Sequence, residues 1–166
     1  MKAFLTYVRP ILEDASNVWS PYLIKHINAL ERVQKHFTKR IHSLSNLSYS
    51  ERLAALDLEP LELRRLKSDL VLYYMCMMCL HDLVALPCSD YFTMSNYTSQ
   101  TRTGGNRLLR QLGLYSSKHF ENDFFNRCVS CWNFLPHAVV NASSISSFKR
   151  LLSNVDLSSF THCTYF

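Results

Sequence analysis

Glycine is scarce in this chain: only Gly104, Gly105 and Gly113 occur among its 166 residues. The tight turns of all-β proteins depend on glycine, so this scarcity argues against a turn-dense β-sandwich and favours long helices. Hydrophobic residues make up 48% of the chain, which argues against a disordered polyelectrolyte. We therefore predict a mainly α fold, an irregular helical bundle of about five to seven helices with a long loop near residues 90–118.

Catalytic motifs are also missing from the sequence. It contains no glycine-rich phosphate loop, no HExxH and no GxSxG. Adjacent carboxylates occur only at Glu13-Asp14, whereas two-metal phosphoryl transfer needs carboxylates that converge on both cations. We therefore predict that the chain is not an enzyme on its own, with no catalytic residues and no cofactor.

Nothing in the sequence indicates a membrane segment or a secretory signal. The apolar run Leu70–Leu80 is shorter than the roughly 20 residues that a transmembrane helix needs. Charged and polar residues interrupt the first ten positions, so we predict no signal peptide. The expected location is intracellular, in the nucleus or cytoplasm, where the six cysteines stay reduced.

Two cysteine pairs have the spacing of zinc ligands, Cys76-x-x-Cys79 and Cys128-x-x-Cys131. Both pairs, however, lie inside strongly apolar helical patterns, without the glycine or polar neighbours of a zinc knuckle. We therefore favour small buried side chains and predict no metal site, while a zinc-binding domain is kept as a third hypothesis.

Helical periodicity and end signals divide the chain into segments. Proline at position 10 should interrupt a first helix, and Ser20-Pro21 should separate it from the next. The predicted helices are Met1–Asp14, Leu23–Leu44, a short helix after the capping box Ser48/Glu51, a long helix from Pro60 that ends by Pro87, Phe120–Leu135, and a short helix capped by Ser144. The predicted parts are a helical region at 1–88, a basic glycine-containing loop at 89–118 with a short extended piece near Leu108–Leu112, a C-terminal helical region at 119–156 and a loose tail at 157–166.

The helix predicted over Leu23–Leu44 has two contrasting faces. One seam carries residues spaced by three and four positions: Leu23, Ile27, Leu30, Gln34, Phe37, Ile41 and Leu44. The opposite arc, roughly 140° wide, carries Lys25, Arg32, Lys35, Lys39 and Arg40. The only acidic residue between Lys25 and Arg40 is Glu31, at the flank. A rigid row of cations can follow a phosphate backbone, although many charged helix faces are only solvated.

A second basic segment lies between Asp90 and Glu121, where the sequence has no carboxylate. It carries Arg102, Arg107 and Arg110 among several tyrosines and phenylalanines. Cations and stacking aromatic rings suit single-stranded nucleic acid, and Gly104-Gly105 lets the backbone approach a phosphate. The alternative is a surface loop whose aromatic side chains pack into the core.

An ordered set of short pieces resembles one protein family. The pieces are Val8–Pro21 (VRPILEDASNVWSP), Leu30–Ile41 (LERVQKHFTKRI), Tyr49–Leu56 (YSERLAAL), Leu61–Arg65 (LELRR), Asp69-Leu70, Phe124–Arg127 (FFNR), Trp132–Pro136 (WNFLP) and Phe148-Lys149. In this order, over nearly the whole chain, they resemble the region that follows the polymerase palm in non-LTR retrotransposon reverse transcriptases of the jockey/CR1 type. Asp14 stands where that family usually has an aromatic residue.

The resemblance implies a thumb-like and post-thumb helical region, which in the intact enzyme would hold the template–primer duplex behind the active site. The palm, with its aromatic-Ala-Asp-Asp motif, and any endonuclease site are absent from this sequence. The chain is therefore expected to be a fragment of an RNA-directed DNA polymerase, catalytically silent alone. The expected partner is RNA or DNA, bound through Lys25, Arg32, Lys35, Lys39, Arg40, Arg102, Arg107 and Arg110.

A second hypothesis is a helical protein–protein interaction module derived from a mobile element. The apolar seam of Leu23–Leu44 and the run Leu70–Leu80 would then contact the missing palm or another protein, because fragments expose former interfaces. Self-association without nucleic-acid binding would favour this hypothesis.

Overall fold

The computed structural model describes residues 1–78, 92–94, 108–110 and 122–162, and within them the chain is mainly helical, as predicted. Eight α-helices lie in the described residues, and three of them are only four or five residues long. They are α1 (Arg9–Glu13), α2 (Ser16–Trp19), α3 (Ile24–Lys39), α4 (Tyr49–Ala55), α5 (Leu61–Met78), α6 (Phe124–Phe134), α7 (His137–Val140) and α8 (Ile145–Leu152). The chain forms two compact units, a first unit of Met1–Leu66 with Ser158–Phe166 and a second unit of Lys67–Leu157.

The α-helical hydrogen-bonding pattern of the first helical segment is interrupted near a proline, as the sequence predicted. A π-helical turn, Phe4–Val8, precedes α1, and the Arg9 N–H donates to the Phe4 carbonyl. Proline at position 10 has no N–H for the normal α-helical bond, so the wider turn takes up the mismatch. After α1, Ala15 has φ 48° and ψ 24°, a left-handed conformation that starts α2 in a new direction.

Helix α3 is shorter than the predicted Leu23–Leu44. The N–H groups of Arg40 and Ile41 donate to carbonyls three residues back, at 3.2 and 3.3 Å, which tightens and ends the helix. A 3-10 turn, His42–Leu44, follows. The sequence prediction was therefore wrong about the last five residues of this helix, although the Ser20-Pro21 break before it is confirmed.

Helix α4 begins with the predicted capping box. The Glu51 N–H donates to Ser48 Oγ at 3.3 Å, and the Ser48 N–H donates to Glu51 Oε2 at 2.7 Å. Helix α5 follows directly after Pro60, whose carbonyl accepts from the Arg64 N–H at 3.1 Å. Its first residue, Leu61, is completely buried.

The second unit has an aromatic core. Tyr74 stacks on Phe148 with ring centroids 4.3 Å apart, and the Tyr74 hydroxyl donates to the Ala142 carbonyl at 2.6 Å. Trp132 lies 5.1 Å from Tyr73 and 6.0 Å from Phe148. These rings come from α5, α6 and α8, so their burial joins the three helices.

The helices of the second unit start at polar caps. Ser144 Oγ accepts from the Ser147 N–H at 3.1 Å, which confirms the predicted cap of α8. The predicted helix Phe120–Leu135 begins only at Phe124, because Asp123 caps it by accepting from the Asn126 N–H at 2.8 Å. Pro136 comes after the end of α6, as expected of a stop signal, and is the N-terminal cap residue of α7.

A two-stranded antiparallel ribbon pairs β1 (Phe92–Met94) with β2 (Leu108–Arg110). Strand β2 falls within the extended piece that the sequence predicted near Leu108–Leu112. The end of the long helix before Pro87, and most of the predicted loop, lie outside the described residues. None of the described helices has the length and apolar composition needed to cross a membrane.

Residues that the sequence assigned to a loose tail make defined contacts. Leu157 is buried, and Ser158–Phe160 forms a 3-10 turn. In the first unit, the His162 N–H donates to Glu62 Oε1 at 2.8 Å.

Candidate nucleic-acid interface

The candidate interface is the cationic face of α3. Its members share a face that points to solvent: Lys25, Arg32, Lys39 and Arg40 are exposed, and Lys35 is half-buried. Four of the five lie within the continuous helix Ile24–Lys39, and Arg40 is its C-terminal cap residue with a nearly helical backbone. The helix therefore holds these cations in one row, as the periodicity predicted.

No carboxylate of the described residues neutralises this row. Within the described parts of the chain, none of the five cations forms an ion pair. Between Asp14 and Glu51 the sequence has one acidic residue, Glu31, and its side chain is turned into the core with the residue 1% exposed. The lysines and arginines are therefore the formally charged residues on the solvent-facing side of α3.

Glu31 is held by donors from two other segments. The Tyr49 hydroxyl donates to Glu31 Oε1, and the Leu61 N–H donates to Oε2 at 3.0 Å. Burial raises the pKa of Glu31, while these hydrogen bonds and the charge of Arg65 act in the opposite direction. The carboxylate thus fixes α3 against the starts of α4 and α5.

Two more polar residues of α3, Gln34 and Thr38, are buried in line with Glu31. Gln34 Nε2 lies 3.0 Å from both the Tyr49 hydroxyl and the Glu59 carbonyl oxygen, and it donates to each. The Thr38 hydroxyl donates to the carbonyls of Gln34 and Lys35 at 3.0 and 3.1 Å. Arg52 donates from Nε to Thr38 Oγ1 at 3.2 Å, so α4 is bound to α3 by a chain of hydrogen bonds.

The buried line of α3 corrects the predicted apolar seam in part. The buried residues of α3 are Ile27, Glu31, Gln34 and Thr38. Ile27 and Gln34 belong to the predicted seam, whereas Leu23 is 44% exposed. This line lies about 60° around the helix from the predicted seam, taken at 100° per residue. The prediction failed because it assigned Glu31 to the flank, and its buried partners are 18 and 30 residues further along the chain.

The burial of the Glu31 side of α3 explains why Lys35 is half-buried. This residue is the member of the basic arc nearest to Glu31 on the helix circumference, and its ammonium lies 5.0 Å from the centre of the Tyr49 ring. A cation over an aromatic face is held by the ring quadrupole, so Lys35 has a fixed place at the edge of the cationic row. Tyr49 therefore connects the buried network to the exposed face, a role that the sequence reading missed.

Of the three loop arginines predicted to bind nucleic acid, only Arg110 lies in the described residues. Arg110 is the last residue of β2, and its backbone pairs with Phe92. Arg102 and Arg107 lie outside the described residues. The cationic face of α3 is therefore the part of the predicted interface whose geometry is defined.

The cysteines of α6 are buried, as the sequence predicted. Cys128 and Cys131 are 0% and 1% exposed, and burial raises the pKa of Cys131 to about 12. Without a metal ion, such a thiol stays protonated at neutral pH. Among the residues that the structure describes, no three histidine, cysteine or acidic side chains come together as a metal site requires.

No protein-family model, curated protein or solved structure matches this chain. The geometry of α3 and the residues around it therefore carry the functional argument.

Proposed function

We propose that the chain is a nucleic-acid-binding fragment of a non-LTR retrotransposon reverse transcriptase, without catalysis of its own. In this proposal the cationic face of α3 binds the phosphates of an RNA–DNA template–primer duplex, and the basic loop with Arg102, Arg107 and Arg110 adds contacts. The observation that carries the proposal is the row of five cations, four of them exposed, that has no carboxylate partner among the described residues.

The spacing of this row supports the proposal energetically. Arg32, Lys35 and Lys39 follow one another at three and four positions, so each cation neighbours another on the helix surface. A like-charge pair at this spacing costs about 0.2–0.5 kcal/mol, and a carboxylate placed between them would remove that cost. A polyanion would remove it as well, because each bound phosphate neutralises a cation and releases a counterion.

The length and rigidity of the row also suit a duplex. Lys25 and Lys39 are 14 residues apart, which in an α-helix is about 21 Å. Duplex DNA carries one charge per roughly 1.7 Å of its axis, so a row of this length can face several phosphates. The hydrogen bonds of Glu31, Gln34 and Thr38 fix the opposite side of α3, so the cations are already aligned before binding.

Charge reversal tests the proposal. The double variant Arg32→Glu/Lys39→Glu should bind a 20-base-pair RNA–DNA hybrid about 100-fold more weakly at ~0.1 M salt, with a flatter salt dependence. Fluorescence anisotropy with a labelled hybrid measures both. The matched control is Lys149→Glu/Arg150→Glu, which reverses two exposed cations in the last turn of α8. Equal affinity of the α3 variant and the unmodified chain would contradict the proposal.

A second candidate function, protein–protein contact, is favoured by exposed apolar side chains between residue 7 and the first residue of α3. Six large hydrophobic residues there are more than two-fifths exposed: Tyr7, Ile11, Val18, Trp19, Leu23 and Ile24. Exposed apolar surface of this kind is typical of an interface. Light scattering distinguishes the candidates, because self-association of a chain that ignores the hybrid would favour protein contact.

A further inference from the structure

We propose, on the basis of the proposed function, that Ser43 is a phosphorylation site whose phosphate weakens nucleic-acid binding by the cationic face of α3. The serine follows the C-terminal end of that face, within the sequence Lys39-Arg40-Ile41-His42-Ser43. Arginine three positions before a serine is a charge pattern that kinases with acidic substrate grooves recognise. The same cations would thus serve as the recognition signal and as the target of the added charge.

Ser43 is accessible to such an enzyme. It is exposed in the 3-10 turn His42–Leu44, and among the described residues its hydroxyl has no hydrogen-bond partner. The nearby Ser45 differs, since its hydroxyl donates to the His42 carbonyl at 3.0 Å and no arginine stands three positions before it. A single 3-10 turn has poor hydrogen-bond geometry, so it opens at low cost into the extended form that a kinase groove binds.

Arginine precedes three other serines at the same distance, namely Ser68, Ser130 and Ser153. Ser68 lies in the middle of α5, and its Arg65 is buried. Ser130 lies inside α6, and its Arg127 is paired with Asp69. In both cases the arginine is poorly accessible to a kinase, and the serine lies inside an α-helix.

Ser153 is the closest rival of Ser43 and therefore the best control. It is exposed at the C-terminal end of α8, and its Arg150 is exposed as well. Its hydroxyl, however, donates to the Arg150 carbonyl at 2.7 Å. Ser153 also belongs to the second unit, so a phosphate there is not adjacent in sequence to the cations of α3.

The modification needs only ATP and a serine kinase. The Ser43 hydroxyl oxygen attacks the γ-phosphorus of ATP, a new O–P bond forms, and the bond to the bridging oxygen breaks to release ADP. The hydroxyl proton passes to the catalytic base of the kinase. The phosphate adds about −1.5 to −2 charges at pH 7, at the third residue after Arg40. It therefore neutralises about two of the cations that would otherwise bind nucleic-acid phosphates.

The test uses the full chain, phosphorylated with the catalytic domain of a calcium/calmodulin-dependent protein kinase and ATP. Mass spectrometry should locate a phosphate on Ser43. Anisotropy with the labelled RNA–DNA hybrid should then show about tenfold weaker binding than for the unmodified chain, with a salt slope lower by about 2. The Ser153→Ala variant should lose affinity equally on kinase treatment, and the Ser43→Ala variant should not.

Four outcomes overturn the inference. They are no phosphate on Ser43, a phosphate on Ser43 with unchanged affinity, an equal loss of affinity in the treated Ser43→Ala variant, and a melting temperature lowered by the phosphate. Failure of the unmodified chain to bind the hybrid instead overturns the proposed function, and with it the proposed effect of Ser43 phosphorylation. A thermal melt before and after treatment separates lost binding from lost folding, because the inference requires an unchanged melting temperature.

Discussion

The two compact units bury different kinds of side chain. In the first unit, the buried side of α3 is mainly polar, and Glu31, Gln34 and Thr38 form hydrogen bonds with α4 and with the residues around the start of α5. In the second unit, stacked rings form the core, and the buried Asp69 is paired with Arg127 at 2.9 and 3.0 Å. The comparison teaches that hydrogen bonds orient the helix with the candidate interface, whereas aromatic packing stabilises the second unit.

Removing an aromatic ring from the second unit should have the largest effect. Phe148 is completely buried between Tyr74 and Trp132, so Phe148→Ala should lower the free energy of unfolding by about 4 kcal/mol. Urea denaturation measures this change. Phe134 is 51% exposed on α6, and Phe134→Ala should cost less than about 1 kcal/mol. Equal losses for the two variants would contradict an aromatic core.

Breaking the buried ion pair should have the next largest effect. The Asp69 side chain is 4% exposed, so Asp69→Ala leaves Arg127 partly buried without its carboxylate and should cost about 3 kcal/mol. The control is Glu13→Ala, which breaks the more exposed pair with Arg64 in the first unit and should cost about 1 kcal/mol or less. Similar costs in denaturation curves would remove the difference between the two pairs.

Removing one hydroxyl from the polar network should cost less. Tyr49→Phe removes the donor to Glu31 and the acceptor of Gln34 Nε2, and should lower the free energy of unfolding by about 2 kcal/mol. Tyr7→Phe is the matched control, because Tyr7 is 72% exposed and should lose almost nothing. An unchanged stability of Tyr49→Phe would show that the network does not hold α3.

The smallest expected effect is a pH dependence from Glu31. Burial raises its pKa above the ordinary value of 4.5, so between 4.5 and the raised pKa the folded chain keeps a proton that the unfolded chain has released. Stability from this group is therefore complete below pH 4.5 and falls as the pH rises through that window. Urea denaturation at several pH values should show this fall in the unmodified chain but not in Glu31→Gln.

An opposite-sign control is available in the same unit. Hydrogen bonds from Ser48 lower the pKa of Glu51, so its contribution to stability is lost as the pH falls. Glu51→Gln should therefore remove a loss of stability below pH 4.5 and leave the fall above pH 4.5 unchanged. If Glu31→Gln kept the fall above pH 4.5, the buried position of Glu31 would be contradicted.

Local signals in the sequence predicted local structure well. The capping box of Ser48 and Glu51, the cap at Ser144 and the interruption at Pro10 depend on residues a few positions apart, and all three are confirmed. The cap at Asp123 was missed although it has the same kind of signal, because its helix was started too early, at Phe120. Caps whose side chain and backbone partners are close in sequence were therefore predictable where the start of the helix was placed correctly.

The face of α3 that is buried could not be predicted in the same way. Hydrophobic periodicity assumes that buried residues are apolar, but Glu31 is buried because Tyr49 and the Leu61 N–H supply its hydrogen bonds from distant positions. The exposed face was less sensitive to this error, because lysine and arginine are rarely buried. Binding of nucleic acid by that face stays a prediction.

The salt dependence of affinity for an RNA–DNA hybrid tests the central claim most directly. If the four or five cations of α3 each neutralise a phosphate, a plot of log association constant against log salt concentration should be linear with a slope of about −4, and steeper where Arg102, Arg107 and Arg110 bind phosphates as well. Anisotropy titrations between roughly 50 and 200 mM salt measure this slope. A slope shallower than about −1, or no binding at the lowest salt concentration, would contradict the account.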